Sequence, residues 1–89
     1  MKRTTASPCR IVEDPGLNGG APTPSTSYLS VEQLLRALAA GETPEHIHRE
    51  YGLTRSDIET AVGFARADSR FVAILAQDRV RAALAALGL

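Results

Sequence analysis

Tryptophan is absent from this 89-residue chain, and its aromatics are two tyrosines and two phenylalanines. Aliphatic side chains supply most of the apolar share, which suits small packed helices better than a sandwich or a barrel. Cys9 is the one cysteine, so an internal disulfide or a cysteine-based zinc site is excluded. In its polar surroundings it reads as an ordinary reduced thiol. The formal net charge is zero, so no global field draws nucleic acid or acidic lipid. No apolar run approaches membrane-spanning length, and the first residues lack the apolar core of a signal peptide. A soluble, cytoplasmic protein is the expectation. The length suits one domain, and at this size only about 60–65% of the unfolded surface is buried, so stability is modest without a partner.

The charge is unevenly distributed. Lys2, Arg3 and Arg10 against Glu13 and Asp14 leave residues 1–30 at +1. Arg36, Arg49 and Arg55 face Glu32, Glu42, Glu45, Glu50, Asp57 and Glu59, which puts residues 31–60 at −3. Arg66, Arg70, Arg79 and Arg81 against Asp68 and Asp78 bring residues 61–89 to +2. The acidic middle counts against strong nucleic-acid binding by that segment alone.

Punctuation divides the chain. Residues 1–9 form a polar, basic leader. Arg10-Ile11-Val12-Glu13 is a short β-prone run stopped by the turn signal Asp14-Pro15-Gly16, and Leu17-Asn18-Gly19-Gly20 extends the loop. Ala21 to Tyr28 holds Pro22 and Pro24, so it reads at best as an edge strand with a weak register. Residues 10–29 are thus expected to make an irregular β arm. A lone hairpin is rarely stable in water, so the arm must lie on the helices or on a second subunit.

Three capped helices follow. Ser30 with Gln33 forms a capping box before Val31–Ala40, and Gly41 closes that helix. Val31, Leu34, Leu35, Leu38 and Ala39 make one apolar stripe. Thr43 caps Pro44–Tyr51, with Pro44 at the first helical position and Ile47 and Tyr51 facing inward. Thr54 with Asp57 opens a third helix, whose inner face is Ile58, Ala61, Val62 and Ala65. Asp68-Ser69 marks a weak break, since neither residue forbids a continuous helix. A last helix is expected over Arg70–Leu87, with a stripe of Val72, Ala76, Val80, Ala83, Leu84 and Leu87. Phe71, Ile74 and Leu75 widen the stripe, so this helix needs more than one neighbour. Phe71, Ile74, Leu75 and Leu84 are therefore candidate contacts for a dimer or a partner.

The fold class these elements predict is mainly α: a trihelical, homeodomain-like helix-turn-helix unit over 30–67, with the arm before it and a helix over 68–89. Gly52 supplies the left-handed corner that the tight turn needs. Leu53, Ile58 and Ala61 pack beneath it with Ile47 and Tyr51. One departure is His48, which stands where a small side chain usually lets the two helices approach. In such a unit the third helix enters the major groove. Its solvent-facing residues are Arg55, Ser56, Glu59, Thr60 and, deeper, Gly63. Arg55 suits a guanine edge or a phosphate, Ser56 and Thr60 can donate, and Glu59 can accept from cytosine. Lys2, Arg3 and Arg10 would add phosphate contacts. The plain alternative is a solvated helix face.

Other chemistry finds little support. His46 and His48 point to opposite sides of a helix and cannot share an ion within one chain. Gly19-Gly20 lacks the lysine and helix start of a phosphate loop. No nucleophile-base pair or converging carboxylate pair is present, so neither catalysis, a cofactor nor a metal is expected.

Several residues together resemble a known family. They are Asp14-Pro15, Gly19-Gly20-Ala21-Pro22, the helix ending Ala39-Ala40-Gly41, Thr43-Pro44-Glu45-His46-Ile47, and Leu53-Thr54 with Asp57-Ile58. In order and spacing they are similar to the bacterial "domain of unknown function 433", counted among VapB-like antitoxins, over roughly residues 10–67. That family's arm usually carries Gly-Thr-Arg-Ile-Pro before the first helix, where this chain has Thr26, Ser27, Tyr28, Leu29 and Ser30. The resemblance implies a homodimer that binds operator DNA, autoregulates its operon and neutralises a PIN-like ribonuclease toxin. A protein–protein adaptor that never touches DNA is the other reading, favoured by the acidic middle and the missing arginine at Tyr28.

Overall fold

A computed structural model describes residues 9–89. Two short strands, β1 (Ile11–Val12) and β2 (Thr23–Pro24), pair antiparallel with Ile11 opposite Pro24 and Val12 opposite Thr23. Helices α1 (Val31–Ala39), α2 (Pro44–Tyr51), α3 (Arg55–Arg66), α4 (Val72–Leu75) and α5 (Asp78–Ala86) follow. The expected mainly helical architecture with its short β arm is the one observed.

Each of the first three helices starts and stops where its end chemistry says. Ser30 Oγ accepts from Gln33 N at 3.1 Å while Gln33 Oε1 accepts from Ser30 N at 2.9 Å. This reciprocal pair satisfies two of the amides that a helix start leaves bare. Thr54 and Asp57 repeat the arrangement at α3, and Thr43 Oγ1 accepts from His46 N at α2. At the end of α1, Gly41 N donates to Leu38 O and Glu42 N to Ala37 O, the double bond of a glycine-terminated helix. Gly52 ends α2 with φ of 76° and ψ of 6°. Among the described residues no atom lies within 4 Å of where its Cβ would stand, so the glycine serves backbone conformation and not packing.

The core joins the α1 stripe (Val31, Leu34, Leu35, Leu38) to Ile47, Leu53, Ile58, Ala61, Val62 and Ala65. Helix α1 packs most extensively on α5 and also meets α3 and α4. The arm rests on α3 through both strands. Pro22, Thr23 and Pro24 are buried, and Pro22 O accepts from Val31 N at 2.9 Å. The arm thus lies on the chain's own helices and satisfies an amide at the start of α1.

The C-terminal segment differs from the single helix expected over Arg70–Leu87. Helix α3 stops with Ala67 as its cap, and Asp68 Oδ1 accepts from Arg70 N to open one 3₁₀ turn at Ser69–Phe71. A second break follows, with Gln77 extended at φ −68° and ψ 135°. On one rod, Ile74 and Val80 would stand about 120° apart around the axis. The break re-aims the chain so that Phe71, Ile74, Val80 and Leu84 all reach the core. The first half of the expected stripe is correspondingly outside: Val72 is 64% exposed and Ala76 faces solvent.

The same packing corrects the candidate partner surface. Phe71, Ile74 and Leu84 are buried against the chain's own helices, and Leu75 is half-buried beside them. The apolar excess that called for a second neighbour finds it in α1 and α3. Phe71 also meets Phe64 edge-to-face, with ring centroids 6.1 Å apart.

Two substitutions test this arrangement. Ile74→Ala should cost about 2–5 kcal/mol of unfolding free energy in urea, whereas Val72→Ala should cost under about 0.5 kcal/mol. Gly52→Ala should cost about 1–2 kcal/mol through its left-handed φ alone, and Gly52→Asn clearly less.

Candidate nucleic-acid interface

Two anchors fix α3 relative to the arm. Asp57 Oδ2 accepts from Thr54 N at 3.0 Å and from Thr26 Oγ1 at 3.2 Å, so one buried carboxylate caps α3 and holds the arm. Ser27 Oγ donates to Tyr51 O at 2.9 Å, satisfying a carbonyl that the end of α2 leaves free. Thr26 and Ser27 therefore sit on the two sides of the helix corner. Leu29 is buried, Ser30 is the α1 cap, and Tyr28 just before them is 76% exposed.

His48 does not wedge the two helices apart. It lies on the exposed side of α2 with Nδ1 3.3 Å from Leu53 O, and Ile47 fills the interior instead.

Of the α3 candidates, Arg55, Ser56, Glu59, Thr60 and Gly63 are all exposed. They are not equally free. Arg55 Nε donates to Glu59 Oε2 at 3.3 Å, and Arg55 Nη2 also donates to the carbonyl of Leu87. Thr60 Oγ1 donates to Ser56 O at 3.1 Å, within its own helix. Lys2 and Arg3 lie outside the described residues, and Arg10 is exposed.

The face has a crest and an edge. Ser56, Thr60, Gly63 and Ala67 form a small, uncharged crest. Arg55, Glu59 and Arg66 line the edge toward α5, where Arg66 donates to the carbonyl of Leu89. Arg66 was missed as a site residue. Its signal was in the sequence, since 11 residues of α-helix return to within about 20° of the same side. Glycine within a helix costs about 1 kcal/mol relative to alanine. No atom of the described residues lies within 4 Å of where a Gly63 Cβ would stand, so packing among them does not require the glycine.

A second charged cluster lies away from this face. Arg70 reaches Glu13 Oε1 at 2.9 Å on the arm and Asp68 Oδ2 at 2.6 Å after α3, tying the two segments together. Hydrogen bonding to the guanidinium holds both carboxyls below their ordinary values and raises Arg70. No group of three or more metal-ligating side chains gathers among the described residues. No helix there is long and apolar enough to cross a membrane.

The Arg70 fork has a signed consequence. Because the folded carboxyls are the stronger acids, its contribution is complete above the ordinary carboxylate range and fades as pH falls through the lowered values. The thermal midpoints of the native chain and Arg70→Ala should differ at pH 7 and converge as pH falls below the ordinary carboxylate range.

No curated protein and no solved structure matches this chain. A family match covers β1, β2 and the three capped helices nearly to the end of α3, well over half of the sequence, and stops before α4 and α5. The matched residues are 11–65 and the family is the one described as "Protein of unknown function (DUF433)", to which this chain belongs.

Proposed function

We propose that this chain is a non-catalytic helix-turn-helix module that reads duplex DNA through the exposed face of α3. The observation that carries this reading is the Gly52 corner, which sets Arg55, Ser56, Glu59 and Thr60 outward while Ile47, Leu53 and Ile58 lock beneath. The small crest of α3 suits close approach to a groove floor, and Arg55 and Arg66 beside it suit phosphate or guanine. In the setting that the resemblance implies, the module is an antitoxin-like homodimer. It autoregulates its operon and neutralises a PIN-like ribonuclease toxin in the cytoplasm.

The second reading is a homodimeric protein–protein adaptor without DNA binding. It is favoured by Arg55 being paired with Glu59, by Thr60 bonding its own helix, and by the exposed Tyr28.

Gel retardation with duplexes from upstream of the gene separates the two. On the DNA reading, binding at low salt weakens steeply as salt rises. Arg55→Ala then costs about 1–3 kcal/mol in binding free energy. Absence of a shift at low salt, together with co-purification of the neighbouring gene product, would leave the adaptor.

A further inference from the structure

The end of α5 lies against the very arginines that a DNA-reading α3 would use. Gly88, at φ of 74°, terminates α5 with a paired turn: Gly88 N donates to Ala85 O at 3.0 Å and Leu89 N to Leu84 O at 2.8 Å. This turn leaves the carbonyls of Leu87 and Leu89 free to accept from outside the helix. Arg55 takes the first and Arg66 the second, from positions three turns apart on α3. Leu87 and Leu89 are half-buried against the core, which seats the turn. The C-terminal ends of helices also carry partial negative charge, which favours two cations there.

We infer that residues 87–89 form an autoinhibitory latch, in which the glycine turn of α5 sequesters Arg55 and Arg66 and duplex DNA must displace it to engage α3. This inference rests on the DNA-reading function proposed above. Arg55 is held by the neutral carbonyl of Leu87 and by exposed Glu59, and Arg66 by the main-chain oxygen of Leu89. A phosphate oxygen is charged and accepts more strongly than the Leu87 carbonyl. The Arg55 contact can therefore be exchanged for a nucleic-acid backbone. Residues 87–89 lie beyond the residues matched to the family.

The test uses the full-length chain and Gly88→Val. A β-branched residue resists the left-handed φ that the turn requires, while Leu87 and Leu89 remain in place. A Cβ at Gly88 would stand 3.9 Å from Arg55 Nη2, an ordinary contact, so the first side-chain atom has room and the left-handed backbone is what the substitution strains. A chain ending at Ala86 serves as the second variant, with amide spectra checking that both fold. The probe is a duplex from upstream of the gene, titrated at low salt and followed by anisotropy.

Both variants should bind roughly tenfold more tightly than the native chain. That gain should vanish when Arg55→Ala and Arg66→Ala are added. The arginine Nη–H signals of the native chain should exchange slowly with water at these two positions and become fast in the variants. Equal affinity of native and variant chains would overturn the latch and leave the DNA reading standing. Fast exchange at both arginines in the native chain would overturn it whatever the affinities. Binding by none of the chains would remove the DNA reading and the latch with it.

Discussion

Burial of the α1 stripe is the constraint on which the other elements depend. The helices run from four to twelve residues, lengths that are marginal in water by propensity alone. Val31, Leu34, Leu35 and Leu38 give α3, α4 and α5 a common surface. Every later feature, including the direction in which α3 faces, follows from what packs on that stripe. Its start is fixed twice, by the Ser30 box and by the Pro22 carbonyl, so the arm and the helical unit are registered to each other at Val31.

The helix corner shows how few groups are needed to aim a helix face. Gly52 turns the backbone, Thr54 and Asp57 restart the helix, and Thr26 and Ser27 pin the arm to both sides of the turn. Asp57 is buried, yet it accepts from a backbone amide and a hydroxyl, which is how a buried carboxylate is kept acceptable. Around it the arm alternates inward and outward groups: Ser27 donates to Tyr51 O, Leu29 is buried and Tyr28 between them stands exposed.

On the outer side of α3, charge is placed at the edge and small residues at the crest. That division explains why the candidate face was only partly visible along the chain. Arg55, Ser56, Glu59 and Thr60 could be read from helical phase. What their side chains touch could not, because Leu87 and Leu89 come from a helix more than 20 residues later. The polar groups of α3 are divided between the chain itself and its surroundings, and this division is what any ligand must compete with.

Local chemistry was sufficient for α1, α2 and α3. Their caps, their glycine ends and their inner faces involve residues within a few positions of one another, so the order of amino acids alone settled them. The C-terminal segment was different, since alanine and leucine permit one long helix as readily as two short ones. There the demand that Phe71, Ile74, Val80 and Leu84 meet one core broke the helix at Gln77 and turned Val72 outward. Long-range packing also decided that the arm is covered by α3 and that Arg66 joins Arg55, because contacts between distant residues leave no periodic mark in the chain.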